Sequence, residues 1–585
     1  MGAAFHNLLS IVTFLPLLGA AVVMFAPDGK LGRGIAFWTS ILTFGASLGL
    51  LGSFDVSSTA QFQLETNVPW VKSAGIGYHV GVDGVSLLLI LLTTFLMPIV
   101  IASAKTTIDK RAKEFAVAAL VLETAMLGAF VALDLVLFYV FWELMLIPMF
   151  LIIGVWGSEN RIYAAVKFFV YTMVGSLLML IAILYMYWLT GADGGERSFD
   201  YAAFLALEIA PQAQFWLFLA FAIAFAVKVP MFPVHTWLPD AHVQAPAPGS
   251  VVLAGVLLKM GTYGFYRFAF PFFPEATFEL RWLILALSVI GIVYGSFMCM
   301  AQRDMKKLVA YSSVAHLGFV MLGLTAFTTA GTTGAVYQML NHGVSTGALF
   351  LLIGMIYERR HTRLISDYGG LAKVVPAFAA IWLVVTLSSI GLPGTNGFVG
   401  EFLILSGTFV SKVPSSIWWG VFATSGVVLG AVYMLWMYQR IWHGPVRVEE
   451  NRHVRDLTVR EWAILSPLVA LIVVMGLYPT PFLRIAAPSV DRFVAHLERA
   501  NPALAGDPVS STTAVAAAAK PPAPTPTAQV TAPPRVDAGT LPPTRRPVLS
   551  LETLQRLEAF KKAREAGGAE GAARPEPPAR PRTTP

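Results

Sequence analysis

The chain has a single cysteine, Cys299, and few charges: only 13% of its 585 residues are Asp, Glu, Lys or Arg. One thiol excludes a disulfide framework and any cysteine-held zinc or iron–sulfur cluster. Its place in the apolar run SFMCMAQ makes it a small buried hydrophobe. Soluble domains carry about 25% charged residues, so the shortage of charge excludes a soluble multidomain enzyme. No glycine-rich phosphate loop precedes a helix, and no nucleotide-fold or metal-cluster motif is present. The chain therefore has no means of oxidising a substrate by itself, and energy must reach it from a gradient or a partner. The net charge of +7 is not a nucleic-acid footprint: residues 501–585 hold 11 Lys/Arg against 7 Asp/Glu, and most other cations lie in short loops between apolar segments.

What is abundant is hydrocarbon. Hydrophobic residues make up 56% of the chain, in runs of about 20 residues that each suffice to cross ~30 Å of bilayer core. Fourteen such segments are expected, at 7–26, 35–53, 82–103, 114–133, 135–156, 163–190, 213–239, 247–267, 281–300, 308–326, 334–357, 375–411, 415–440 and 460–480. The fold expected is thus an all-α polytopic membrane protein in contact with lipid. No basic residue precedes the first apolar run, as a cleaved signal peptide would require, so that run reads as an uncleaved first helix. The seventh and twelfth segments are broken, by VKVPMFPVHTWLP and SSIGLPGTNGFVGEF. Such breaks are tolerated where the freed backbone lies inside protein or lines a polar cavity.

With the N-terminus outside, the inner loops hold nineteen Lys/Arg and the outer loops five, namely Lys72, Arg197, Arg267, Arg281 and Lys412. That bias fixes the expected orientation, with both termini on the outer side. The two broken segments are five positions apart and so cross in opposite senses, which is an inverted-repeat pattern. The expected organisation is 1–113 for helices 1–3, 114–267 and 268–440 for two five-helix repeats (helices 4–8 and 9–13), and 441–480 for an inner loop and helix 14. A Pro/Ala-rich, largely disordered tail, 481–585, completes it. Within that tail, Val548–Gly568 has helical periodicity, with leucines at 549, 551, 554 and 557.

Four charges sit where a bilayer resists them, at about 2.5–3.5 kcal/mol each: Glu143, Lys228, Lys259 and Glu401. Unpaired and facing lipid they would not be carried, so they must face the interior, pair, or line a hydrated path. Glu143 and Lys228 make one candidate acid–base pair, whose alternative reading is an ion pair holding two helices together. Lys259 heads a polar stripe with Thr262, Tyr263 and Tyr266, and Glu401 follows the second break. His316 follows Ser312 by four residues, and His342 has Gln338 and Thr346 four residues to either side. A lone histidine in an apolar helix is usually a packing residue, but two on neighbouring helices within polar faces point to a proton relay. Lys167 is placed to snorkel out of the inner end of helix 6, and Glu123 and Asp134 are secondary candidates. His235 and His242 flank Asp240 with metal-like spacing, for which loop anchoring is the preferred reading.

Five strings go further: FYVFWELMLIPMF, FAVKVPMFPVHTWLPDAHVQAPAPGSVVLAGVLLKMGTYG, KKLVAYSSVAHLGF, NHGVSTGALFLLIG and GLPGTNGFVGEF. They resemble the antiporter-like subunits of proton-pumping NADH:quinone oxidoreductase (respiratory complex I) over roughly residues 1–480. Among the three paralogues the chain is most similar to the chain M (subunit 4) family, because Glu401 stands where the others have lysine and no long lateral helix with a further anchor follows. The Pro-rich extension departs from the family pattern. The resemblance implies a fourteen-helix subunit of a bacterial inner (plasma) membrane, lodged between chains L and N. Flavin, iron–sulfur clusters and quinone would belong to other subunits, so this chain would carry no cofactor. By position it makes Glu143 and Lys228 the coupling pair, Lys259 the central proton-transfer lysine and Glu401 the exit-side acid, with His316 and His342 as links between them. Competing readings are a subunit of a cation/proton antiporter or membrane-bound hydrogenase, a structural spacer, and a standalone transporter.

Overall fold

A computed structural model of the chain describes residues 7–192 and 195–504. Each apolar segment expected above is helical, whole or in pieces, because an apolar run without water satisfies its backbone internally only as a helix. Among the described residues eleven helices are long and apolar enough to cross a membrane, and Leu8–Met24 and Pro376–Ser389 are shorter apolar helices. Several helix starts are fixed by side-chain oxygens. Asp83 accepts from Ser86 N, Asp134 from Val136 N and Leu137 N, Asp304 from Lys306 N and Lys307 N, and Thr458 from Glu461 N. Each satisfies donors that a first turn leaves open.

The helices Met305–Thr325 and Thr329–Arg360 lie deepest, with 94% of their most apolar stretch enclosed, against 33% for Gly29–Ser53 and 39% for Ser416–Trp442. Polar side chains on the first two therefore face protein rather than lipid. The expected breaks are present: Pro211–Lys228 stops and resumes as Trp237–Gln244, and Pro376–Ser389 resumes as Asn396–Phe409. A third was not expected. Leu135–Leu144 and Leu146–Trp156 meet at Met145, where Pro148 has no N–H to offer the Leu144 carbonyl. The eighth segment also departs from a plain helix, with π turns at Leu253–Leu257 and Phe265–Ala269.

The helical fold carries one small addition, an antiparallel hairpin of Gln63–Val71 and Ile76–Val82 that pairs Thr66 with Val80 and Val68 with Tyr78. Two expectations need correction. The 481–585 tail does not begin at 481, because Thr480–Ala500 is a helix. Its buried residues Ala486, Ser489, Val490, Phe493, Val494 and Leu497 recur at helical spacing and pack on Gly84–Thr107 and Thr329–Arg360. Its charged outer face dilutes the hydropathy that marks spanning helices, which hides it from a hydropathy scan. The Val548–Gly568 periodicity lies outside the described residues. Finally, Arg267 is not a loop cation. It is buried in the second π turn of the eighth segment and pairs with Asp83 at 2.6 Å.

The hairpin is latched by His79. Nδ1 lies 2.5 Å from Asp200 Oδ2 and Nε2 lies 3.4 Å from Glu65 Oε2. Burial opposes charging of the ring, but the carboxylates of Asp200 and Glu65 outweigh it and hold His79 above its ordinary range. Burial likewise opposes the Asp200 carboxylate, yet His79 holds it below its usual value. Stability from the raised imidazole is complete below its unfolded pKa of about 6.5 and is lost as pH rises through the raised value. Stability from the lowered carboxylate is lost only as pH falls through the lowered one. Corrected for intrinsic rates, amide exchange at Leu133, whose N–H donates to His79 O, should therefore quicken from near-neutral to alkaline pH. His79→Gln should remove that dependence. Equal pH dependence in the variant would show that the latch lies elsewhere.

Candidate functional site

Lys228 is the last residue of Pro211–Lys228, immediately before the break, and is 1% exposed. Its Nζ has no hydrogen-bond partner among the described residues and sits 4.9 Å from the Trp142 ring centroid. Glu143, half-buried next to Trp142, acts on Lys228 through space, but no ion pair within bonding distance joins them among the described residues. The expected acid–base pair is thus an electrostatic one, with an indole face beside the ammonium.

Lys259 is wholly buried on the short helix Leu258–Gly264. The π turn before it widens the helix, and Nζ donates back to the Ala254 carbonyl. The same Nζ lies 2.6 Å from His342 Nδ1. The His342 ring faces that of His316 at 5.7 Å between centroids. His316 Nδ1 lies in turn 3.3 Å from Glu401 Oε1, at ion-pair distance without hydrogen-bond alignment. Gln338 Nε2 donates to that oxygen at 3.2 Å, and Asn341 donates to Gln338 at 2.9 Å. Both rings line a small cavity of about 10 Å³ together with Asn341, Ser345 and Ser389, which is about the least space a single water needs. The sequence thus brings Lys259, His342, His316 and Glu401 into one buried series drawn from four helices.

The second break supports the far end of this series. Gly391 has φ +73°, and a Cβ there would stand 2.7 Å from Glu401 Oε2, so the turn both needs glycine and leaves room for the carboxylate. Ser345 and Ser388 hydroxyls meet at 2.6 Å, and Ser388 donates to Asn396 Oδ1 at 2.5 Å, tying the break to Thr329–Arg360.

The remaining candidates separate. Lys167, near one end of Arg161–Thr190, reaches out to the part-exposed Asp240, which its Nζ pairs with at 2.7 Å. Asp134 is a helix cap that also accepts from Gly77 N at 3.0 Å. Glu123 is fully buried, and neither carboxyl oxygen is hydrogen-bonded among the described residues. Thr262 donates to Lys259 O at 2.9 Å, but Tyr263 and Tyr266 donate to Phe130 O and Ser489 O, so the polar stripe divides between the row and packing against Ala112–Val131 and Thr480–Ala500. His235 lies in the break with its ring against Phe232 and Tyr294, at 5.8 and 5.4 Å between centroids, and the His242 ring has no side-chain hydrogen bond among the described residues. Among the described residues no His/Cys/Asp/Glu group is placed to hold a metal.

His242, read above as a loop anchor, and Lys306, read as a loop charge, both lie buried toward Lys259. His242 stacks on Phe350 at 4.5 Å between centroids and lies within electrostatic reach of both Lys306 and Lys259. Lys306, counted above as an inner-loop charge, is 5% exposed and donates to Ala245 O at 2.5 Å. A signal was present: Lys306, Ser313 and His316 recur at i, i+7 and i+10, one face of a helix.

A sequence model of the family described as NADH:quinone oxidoreductase/Mrp antiporter, transmembrane, matches residues 132–430. The chain is 50% identical to the NADH-quinone oxidoreductase subunit M of Rhodobacter capsulatus over 502 residues, 84% of this chain and 96% of that one. It is 44% identical to the NADH-ubiquinone oxidoreductase chain 4 of Marchantia polymorpha over 497 residues, 84% of this chain and 98% of that one. Its fold superposes with a TM-score of 0.76 and 34% identity on a chain of respiratory complex I from Thermus thermophilus with bound NADH, covering 84% of this chain and 99% of the other. The chain belongs to the NADH:quinone oxidoreductase/Mrp antiporter transmembrane family, among the subunit M proteins of respiratory NADH:quinone oxidoreductases.

Proposed function

We propose that the chain is a proton-translocating, non-redox subunit of its complex, moving protons along the buried row while partner subunits carry out the redox chemistry. The observation that supports this best is the Lys259–His342–His316–Glu401 series, four ionisable groups in sequence inside apolar helices. Groups so expensive to bury are kept off lipid only by partners or by work. Each of these four faces the next. Lys306 and His242 extend the row on one side of Lys259 toward the loop before Met305. The Glu143–Lys228 couple acts as the control. Movement of charge at Glu143 alters the field at Lys228 through space, and Lys228 in turn biases the proton on Lys259. These groups titrate together, so protons belong to the row rather than to single residues.

The same reading takes the fourteen segments as fourteen crossings, 114–267 and 268–440 as inverted repeats, and both termini as lying on the outer side of a bacterial inner membrane. It places chains L and N on either side, with flavin, iron–sulfur clusters and quinone outside this chain. The cation/proton antiporter reading is the runner-up, since the family description covers both.

The test uses inverted membrane vesicles in which the assembled complex carries Lys228→Ala. NADH-driven quinone reduction and the proton gradient are recorded together, after assembly is confirmed. Both should fall severely while the complex remains intact. Values matching the unmutated complex would make Lys228 a packing residue and favour the spacer reading.

A further inference from the structure

The cations near the ends of Thr329–Arg360 and Ser416–Trp442 fall into two groups. Arg359 makes a two-pronged pair with Glu461, both bonds 2.7 Å, Arg363 pairs with Asp304 at 3.2 Å, and Arg360 donates to Asn451 at 2.7 Å. Arg303, Arg440 and Arg447 are different. All three are exposed and have no carboxylate partner among the described residues, and all three line one cavity of about 860 Å³. His443, Ser366 and Trp436 share its wall, and no carboxylate does. The Arg440 guanidinium lies 5.1 Å from the Trp436 ring centroid, and indoles favour the membrane–water boundary.

The floor is built, not accidental. Gly370 N donates to His443 O at 3.0 Å where two loops cross. Gly370 has φ +69°, and a Cβ there would meet Gly444 O at 2.8 Å, so only a bare backbone lets the loops approach this closely. An apolar track leads into the cavity. Val421, Val428, Val432 and Leu435 are exposed along one face of Ser416–Trp442, and the next turn of that face brings Gln439 and Arg440 to the rim.

We infer that this cavity is the headgroup site of an anionic phospholipid, its phosphate held among Arg303, Arg440 and Arg447 and its acyl chains laid along the Val421–Leu435 track. Three uncompensated guanidiniums disfavour a zwitterionic headgroup, whose own cation would enter the same field. A free phosphate satisfies the arginines but leaves the apolar track unused. Arginine forks suit phosphate oxygens, and basic pockets between spanning helices are the expected form of such sites. The inference needs only that the chain is embedded in a membrane, so it stands or falls separately from the proton-transfer reading.

The test uses the purified intact complex, stripped of lipid in detergent and offered a phosphatidylglycerol analogue with a photoactivatable acyl chain. Adducts are mapped by peptide mass spectrometry. Labelling should concentrate between residues 421 and 447, and unlabelled phosphatidylglycerol should suppress it where phosphatidylcholine and inorganic phosphate do not. The triple variant Arg303→Gln/Arg440→Gln/Arg447→Gln should lose roughly tenfold or more of the adduct. Equal labelling by a phosphatidylcholine analogue, or full labelling of the triple variant, overturns the proposal. So does the absence of label, as when a neighbouring subunit covers the cavity. Suppression by inorganic phosphate assigns the site to the free ion and overturns the lipid. Should the triple variant fail to assemble, the competition series on the unmutated complex decides.

Discussion

Lys259→Met, in an otherwise intact complex, should abolish proton translocation while leaving assembly nearly unchanged. Methionine follows the lysine stem closely in volume, and the site is completely buried, so packing is preserved. What is lost is the ammonium, with its bonds to Ala254 O and His342 Nδ1. Leaving those two acceptors without a partner costs about 1–3 kcal/mol each, partly offset because a buried charge no longer has to be held away from water. Function has no such offset. No other lysine touches His342 among the described hydrogen bonds, so the row is cut at its centre. Proton-gradient formation by inverted vesicles should fall at least about tenfold, more than 1.4 kcal/mol of barrier. If the gradient persists near its unmutated value while the complex is intact, the path does not run through Lys259.

The row was legible in the sequence because a bilayer makes buried charge conspicuous. Glu143, Lys228, Lys259 and Glu401 stood out against apolar neighbours, and the two broken segments against unbroken ones. Order within the row was not legible. That Lys259 meets His342 rather than His316 depends on how three helices rotate about their axes, which hydropathy does not encode. Lys306 and Lys307 are adjacent and chemically alike, and only the helix face separates the buried one from its neighbour. Arg267 was misread for the opposite reason. A cation near a segment end needs no explanation in sequence, yet here the helix continues past it and its carboxylate partner is 184 positions earlier, at Asp83. The hairpin and the Thr480–Ala500 helix escaped because neither carries a long apolar run, and both earn their order from packing on spanning helices.

The Asp83–Arg267 pair should prove the most costly single contact to break. Nη2 of Arg267 lies 2.6 Å from Asp83 Oδ2, with both side chains 5% exposed or less. The guanidinium is enclosed by the rings of Phe62, Tyr263 and Tyr266 at 4.9, 5.3 and 5.5 Å, and Nε donates to the Tyr263 hydroxyl. Asp83 also caps Gly84–Thr107 through Ser86, so one carboxylate joins the end of the hairpin, the start of the third segment and the end of the eighth. Removing one partner strands the other as an uncompensated buried charge, at about 3–5 kcal/mol, a large share of the ~5–15 kcal/mol that holds a folded domain together. Arg267→Met should therefore reduce the assembled complex in membranes several-fold and lower its thermal inactivation temperature, in contrast to Lys259→Met. Adding Asp83→Asn to Arg267→Met removes the stranded charge while keeping a capping oxygen, and should recover much of the loss. Because this pair lies apart from the Lys259 row, the recovered complex should also regain its proton gradient in proportion to its amount. A double variant as poorly assembled as Arg267→Met alone would show that ring packing around the guanidinium, rather than the ion pair, holds this end of the helices together.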